Sequence, residues 1–136
     1  MFVCCDDVCA GAGGNVDAVR SWVASGADIN VVYVCMGGTT PLMWASRGPH
    51  SECVAEMLRL GADARRVDNN AWTALHWIAF AGRRGDGVGV VRQLVAAGCD
   101  AAVRDNGGHT AVELTRTLHG AERATEIEGW VAAAMA

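Results

Sequence analysis

The 136-residue sequence contains no lysine, because all eleven of its basic residues are arginine. Side-chain amines for conventional ubiquitin attachment are therefore absent, and we expect such attachment only at the N-terminus. Aromatic residues other than tryptophan are scarce, with one tyrosine and two phenylalanines, while 51% of residues are hydrophobic. Small apolar side chains must then fill most of the core, which favours close-packed helices over a β-sandwich. Only 2 prolines accompany 17 glycines, which indicates regularly spaced turns rather than disordered linkers.

The charge, the lengths of the apolar runs and the cysteine spacing argue against several further classes of protein. Eleven basic against 15 acidic residues give a net charge of −4, which argues against nucleic acid or an anionic membrane as the main partner. No apolar run is long enough to span a bilayer, and residues 1–10 lack a basic signal-peptide start. Six scattered cysteines without C-x-x-C pairs indicate reduced, packed thiols. We therefore expect one domain, located in the cytoplasm or nucleus, with no metal and no cofactor.

A sequence unit repeats along the chain. The segment Thr-Pro-Leu-Met-Trp-Ala at Thr40 returns 33 residues later at Thr73 as Thr-Ala-Leu-His-Trp-Ile-Ala, and a weaker copy begins at Thr110. A second marker, glycine followed two residues later by aspartate, keeps a nearly fixed phase with the first, at Gly26, Gly61 and Gly98. Two markers in phase indicate tandem repeats of one structural unit.

Each unit is predicted to be a pair of helices. Val54, Met57 and Leu58 follow the i, i+3, i+4 spacing of a helix that packs on one side. Glycine is suited to end such a helix at positive φ, and threonine is suited to cap the next one. One helix pair cannot bury its own apolar face, so the units are expected to stack on each other.

These motifs resemble the ankyrin-repeat family, with the best matches in 38–42, 57–63 and 72–76. The resemblance implies an all-α ankyrin-repeat solenoid of stacked helix pairs with β-hairpin-like fingers. It implies a single domain over 1–136, in approximate repeats 5–35, 36–68, 69–105 and 106–136, with a degenerate first helix over 6–12. It also implies a structural role for His76, and we expect no enzyme activity because no catalytic motif is recognisable.

Two segments depart from the repeat period. The first finger, between Asn30 and Gly38, is two residues longer than the others and is rich in apolar residues. It is either ordinary packing or an extended contact for a partner. The third repeat gains four residues within 82–89, where glycines are dense. We interpret this insertion as a solvated turn, because a phosphate-binding loop would need a preceding strand.

The family resemblance places the partner-binding surface on the fingers and on the exposed side of the first helices. Carried over residue by residue, the surface comprises Tyr33, Met36, Thr39, Arg47, Asn69, Asn70, Trp72, Phe80, Asn106, His109 and Thr117. Trp72 is the predicted anchor, because tryptophan supplies a large contact area with one polar N–H. The alternative is that Trp72 packs on Trp44 or Trp77 and stabilises neighbouring fingers.

The predicted function is a protein–protein interaction module that acts as an adaptor, scaffold or inhibitor. The expected partner is another protein of unknown identity, bound by a chain that is monomeric on its own. Two alternatives stay open, namely a regulator similar to ankyrin kinase inhibitors and an assembly chaperone for a larger complex. Fold alone does not choose among them, because related folds bind unrelated partners.

Overall fold

The computed structural model describes residues 16–34, 37–47, 51–81 and 87–135. Seven helices occur in these ranges: α1 (Val16–Ala24), α2 (Pro41–Arg47), α3 (Ser51–Arg59), α4 (Ala74–Ala81), α5 (Gly87–Ala96), α6 (Ala111–His119) and α7 (Ala121–Met135). The described ranges contain no strand, and their one isolated bridge joins Tyr33 to Thr39. This helical structure agrees with the predicted all-α class.

The helix boundaries follow the glycine and threonine positions. Thr110 precedes α6, and its side chain accepts a hydrogen bond from the Glu113 N–H while the Glu113 side chain accepts from the Thr110 N–H. This capping box satisfies two N–H groups that the helix leaves free. Glycines with φ near +100° follow the second helix of each pair, at Gly26, Gly61 and Gly98. The predicted helix ends are therefore confirmed at all three glycines.

The helices contact one another in two rows. Helices α2, α4 and α6 contact in sequence, and so do α1, α3, α5 and α7. The rows are joined through α2 with α3, α4 with α5 and α6 with α7. The apolar core lies between the rows, and its fully buried side chains include Leu75, Met57 and Leu94. Burial of these side chains is the main stabilising contribution.

Short hydrogen-bonded turns precede α2, α4 and α6. In the turns 33–39, 68–72 and 105–109, the N–H of the first residue donates to the carbonyl of the last, with N···O distances of 2.8, 3.0 and 2.9 Å. The first turn encloses two more residues than the other two, as the threonine spacing predicts.

Adjacent turns are joined to each other by asparagine backbone and side-chain groups. The Asn69 N–H donates to the Gly37 carbonyl at 2.9 Å, and the Asn106 N–H donates to the Asn70 carbonyl at 3.0 Å. The Asn106 side chain also donates to the Asn69 carbonyl at 3.0 Å. These bonds hold the three turns side by side along one edge of the molecule.

The glycine-rich insertion is partly helical. Residues 82–86 lie outside the described ranges, but α5 begins at Gly87 and includes Gly89. The expectation of a turn was therefore wrong for 87–89. Although glycine disfavours a helix, the buried Val90, Val91 and Leu94 anchor α5 in the core, and this packing outweighs the cost of two glycines. The expected first helix over 6–12 also lies outside the described ranges.

Candidate partner-binding site

An aromatic surface lies across α2, α4 and the turn before α4. It comprises Trp44 and Arg47 of α2, Trp72 of the turn 68–72, and Trp77 and Phe80 of α4. The Trp44 and Trp77 rings stack with centroids 6.0 Å apart. Trp72 meets Trp77 edge-on at 5.0 Å and Phe80 at 5.4 Å. These separations are typical of favourable aromatic pairs, so the rings form one contiguous cluster.

The repeat register brings these side chains together. Trp44 and Trp77 are 33 residues apart and occupy the same position of their helices, and so do Arg47 and Phe80. Because α2 contacts α4, equivalent positions of the two helices become neighbours. A pair of adjacent repeats thus places three rings and a guanidinium on one face.

The polar N–H groups of Trp72 and Trp77 are used inside the protein. The Trp72 indole donates to Asp105 Oδ2 at 2.9 Å, which links the turn 68–72 to the turn 105–109. The Trp77 indole donates to Asp68 Oδ2 at 3.1 Å. Both rings are consequently held in fixed orientations and offer their apolar faces rather than a hydrogen-bond donor.

Each of the two acceptor aspartates also accepts two backbone N–H groups of its own turn. Asp105 Oδ1 accepts the N–H groups of Gly107 and His109, both at 2.9 Å. Burial disfavours the charged form of Asp105, but hydrogen bonds from the His109 N–H, the Trp72 indole and the Gly107 N–H outweigh it and lower the pKa of Asp105. Asp105 therefore stays ionised while its oxygens are engaged within the protein.

Asp68 is bound in the same way in the preceding turn. Its Oδ1 accepts the N–H groups of Asn70 at 2.8 Å and of Trp72 at 3.0 Å, while Oδ2 accepts the Trp77 indole. The side chain is buried. Sequence reasoning missed both aspartates as parts of the site. The signal was available, because Asp68 and Asp105 each lie five residues before a repeat threonine.

His76 has the structural role that the sequence predicted. Its Nδ1 accepts the Thr73 N–H at 3.2 Å, so the proton lies on Nε2, which donates to the His109 carbonyl at 3.0 Å. The imidazole is almost fully buried, at 1% exposure. It therefore joins α4 to the next turn and is not exposed to a substrate or ligand.

Arg47 is the charged group of the aromatic surface. Its guanidinium carbon lies 5.2 Å from the Trp44 ring centroid and 5.9 Å from that of Phe80, within the range of a cation–π contact. In the part of the chain that the structure describes, no carboxylate oxygen lies within 4.0 Å of it. Phe80, at 40% exposure, is the most open ring of the surface.

Two of the predicted contact residues are buried. Tyr33 is 7% exposed and Thr39 is 2% exposed, so the expectation that they form an outer surface was wrong. Thr39 closes the first turn by backbone pairing with Tyr33, and its hydroxyl accepts the Trp44 indole N–H at 2.9 Å. The threonine thus supports the aromatic surface from beneath. Met36 lies outside the described residues.

The remaining predicted contact residues divide between two regions. Trp72 packs against Trp77, which is the alternative to a free contact residue that the sequence analysis left open. It joins Arg47 and Phe80 in the aromatic surface. The exposed asparagines Asn69, Asn70 and Asn106 join the turns, as described above, and His109 is half-buried next to Asp105. Thr117 is exposed on α6, where its hydroxyl donates to the Glu113 carbonyl at 3.2 Å.

A second charged arrangement lies between α1 and α3. Glu56 of α3 accepts hydrogen bonds from Arg59 of its own helix and from Arg20 of α1, the latter at 3.1 Å. Hydrogen bonds from Arg59 and then Arg20 lower the pKa of Glu56 to about 2. The group ties the two helices together at the surface. The sequence offered no signal for it, because the pairing between Arg20 and Glu56 spans 36 residues.

Other kinds of site find no support in the described residues. Across 16–34, 37–47, 51–81 and 87–135, no group of three or more histidine, cysteine or acidic side chains could hold a metal ion. Within the same ranges, no helix is both long enough and apolar enough to cross a bilayer. Cys53 and Cys99 are buried thiols, and burial raises the pKa of Cys99.

The paired helices, their glycine ends and the linked turns define a helical repeat protein. Residues 7–105 match the family model described as ankyrin repeats (3 copies). The chain therefore belongs to the ankyrin-repeat family. Ankyrin repeats are in general protein–protein interaction modules. The pair α6 and α7 lies beyond the matched range.

Two relatives match part of this chain within much longer proteins. The chain is 35% identical over 105 residues to a probable E3 ubiquitin-protein ligase XBOS33 of Oryza sativa subsp. japonica. This match covers 76% of this chain and 19% of that protein. It is 29% identical over 80 residues to the palmitoyltransferase AKR1 of Candida albicans. This match covers 59% of this chain and 9% of that protein. The chain thus spans a small part of both relatives.

Proposed function

We propose that the chain is a non-catalytic binding module that holds a partner protein on the aromatic surface of Trp44, Arg47, Trp72, Trp77 and Phe80. In this role it acts as an adaptor, scaffold or inhibitor in the cytoplasm or nucleus. The observation that carries the proposal is a contiguous group of rings, open to solvent at Phe80, with a guanidinium held against it.

The chemistry of the surface supports this role. Tryptophan, other aromatic residues and arginine are enriched where binding energy is concentrated in interfaces. The rings of Trp72 and Trp77 are fixed by indole hydrogen bonds to Asp105 and Asp68. A surface that is already ordered loses little side-chain entropy on binding, so more of the contact energy appears as affinity.

We also infer that the helix pairs stack as a short solenoid with finger-like turns on one edge. The contacts within each row of helices and the hydrogen bonds between neighbouring turns support this arrangement. A rigid edge of this kind places the aromatic surface beside the turns, where a partner can reach both.

The test compares two truncations of exposed apolar side chains. Phe80, at 40% exposure, lies on the aromatic surface, whereas Val88 on α5, at 37% exposure, lies outside it. Tagged protein, Phe80→Ala and Val88→Ala are used for parallel purification from cell extract with quantitative mass spectrometry, and the recovered partner is then titrated by calorimetry. We expect Phe80→Ala to weaken binding by about tenfold or more, while Val88→Ala binds as the parent does.

The same experiment can refute the proposal. Equal affinities of the parent and Phe80→Ala for every recovered partner would exclude the aromatic surface as the binding site. A thermal melt of each variant checks that a lost interaction does not come from unfolding. The identity of the partner separates the alternatives, because a kinase would favour the inhibitor role and subunits of one assembly would favour the chaperone role.

A second candidate is an adaptor that presents a bound protein for ubiquitin transfer. The absence of lysine favours it, because such a chain offers no side-chain amine for its own modification. The similarity to a probable E3 ubiquitin-protein ligase of rice is in keeping with it. Reconstituted transfer to the recovered partner should increase when the chain is added. Unchanged transfer would remove this candidate and leave the binding module in place.

A further inference from the structure

We infer that the aromatic surface binds an acidic segment of a partner protein, in which a carboxylate pairs with Arg47 and a neighbouring apolar side chain packs on Phe80. This inference rests on the proposed function and specifies its partner chemistry. It depends on which charged side chains of the surface already have hydrogen-bond or ion-pair partners within the protein and which do not.

The negative charges next to the rings are engaged by donors within the protein. Asp68 accepts two backbone N–H groups and the Trp77 indole. Asp105 accepts two backbone N–H groups and the Trp72 indole. Each carboxylate already accepts three hydrogen bonds and is only 6% exposed, so a basic side chain of a partner has little access to it. The surface therefore offers little to a cationic segment.

Arg47, the positive charge of the surface, has no carboxylate partner in the described residues. Six of the nine arginines in the described residues have a carboxylate oxygen within 4.0 Å: Arg20, Arg59, Arg65, Arg66, Arg104 and Arg123. Arg47 has none there, and instead lies over two aromatic rings. The N–H groups of a guanidinium point outward in its own plane, so a guanidinium that lies over ring faces can still bind a carboxylate with two parallel bonds.

The rings select against a cationic partner for a second reason. An ammonium or guanidinium from a partner would be attracted to the faces of Trp44 and Phe80. Arg47 already lies against both of these rings, so an incoming cation would meet a like charge there. The chain as a whole carries a charge of −4, yet the charged side chain that lies over the rings of this surface is the positive Arg47. Complementarity at the contact therefore favours an acidic and apolar segment.

The test is selection from a display library of random peptides on three proteins: the parent, Arg47→Gln and Arg47→Glu. Selected peptides are then synthesised and their affinities measured by fluorescence anisotropy at low and high salt. Arg92→Gln is the matched control, because Arg92 is an exposed arginine of α5 that also lacks a carboxylate within 4.0 Å in the described residues. Melting curves check that each variant is folded.

We expect the parent to enrich peptides that place Asp or Glu near a large apolar residue. These peptides should lose about tenfold in affinity for Arg47→Gln, because a charge-assisted hydrogen bond is removed. They should bind Arg92→Gln as they bind the parent, and binding to the parent should weaken with salt. Arg47→Glu should enrich basic peptides in place of acidic ones.

Other outcomes separate this inference from the proposed function. Enriched apolar peptides without acidic residues, still sensitive to Phe80→Ala, would overturn the acidic partner while supporting the surface. Enrichment of basic peptides by the parent would overturn it as well. Enriched peptides that bind Phe80→Ala unchanged, or a selection that enriches nothing, would count against both.

Discussion

The hydrogen bond between Trp72 and Asp105 gives the sharpest quantitative prediction. Replacing Trp72 with phenylalanine keeps a ring in place but removes the indole donor, whose bond to Asp105 Oδ2 is 2.9 Å long. The Asp105 side chain is only 6% exposed, so water cannot fully replace the lost donor. A hydrogen bond to a charged group contributes about 1.5–3 kcal/mol. With the smaller ring contact on Trp77 and Phe80, we expect a total loss of about 2–4 kcal/mol.

Urea unfolding followed by far-ultraviolet circular dichroism measures this loss. The matched control is Trp130→Phe, because Trp130 is also half-buried but its indole has no hydrogen-bond acceptor among the described residues. We expect the control to lose less than about 1 kcal/mol. A domain of this size has about 5–15 kcal/mol of stability in total, so the difference is readily measured.

A double-mutant cycle isolates the bond itself. In Asp105→Asn the amide oxygen can still accept the N–H groups of the turn, which points the amide NH₂ at the Trp72 indole donor. The coupling between Trp72→Phe and Asp105→Asn should be about 1–3 kcal/mol. In Trp72→Phe alone, the pKa of Asp105 should rise, because one of the donors that lower it is gone. Zero coupling together with an unchanged pKa would refute the reasoning.

Three further predictions concern packing, backbone strain and acid stability. Leu75→Ala should lose about 2–5 kcal/mol in urea unfolding, because the 2% exposed side chain leaves a cavity. Ala71→Gly should raise stability by up to about 1 kcal/mol, because Ala71 has a φ of 60° where glycine is unstrained. Glu56 has its pKa lowered from 4.5 to about 2, so its ionised form stabilises the fold above pH 4.5 and this contribution disappears as the pH falls towards 2. Glu56→Gln should flatten the decline of stability in that window.

A different experimental result would contradict each of these three predictions. A Leu75→Ala protein as stable as the parent would reject the repeat register on which the core assignment depends. For the turn, Ala55→Gly in α3 is the control and should lose about 1 kcal/mol, as glycine does in an exposed helix. A similar loss in Ala71→Gly would contradict strain at that residue. If the parent and Glu56→Gln lose stability in parallel on acidification, the link to Arg20 and Arg59 does not control acid stability.

The repeat itself could be predicted from the sequence because its signals are local. Gly61 and Gly98 end helices by their positive φ, and Thr110 caps α6 with Glu113, all within a few residues of chain. His76 could be assigned from the position it occupies in the repeat motif. Such features depend on neighbours in sequence, and the spacing of residues determines them.

The composition of the site could be predicted only in part, because it depends on contacts between repeats. The buried Thr39 accepts the Trp44 indole N–H of the following helix, and the fixed position of Trp72 follows from an aspartate 33 residues away. Nothing local distinguishes an exposed tryptophan from one whose N–H is satisfied by the next turn. The alignment of Asp68 with Asp105 in the repeat was the one available hint.

The central claim is that a partner binds on the aromatic surface, at Phe80, and not on the row formed by α1, α3, α5 and α7. Site-specific photo-crosslinking tests this most directly, with a photoreactive amino acid placed at position 80 or at position 88 of the full chain. We expect the partner recovered by purification to be crosslinked from position 80 and not from position 88. Crosslinking of the same partner from position 88, with none from position 80, would contradict the claim.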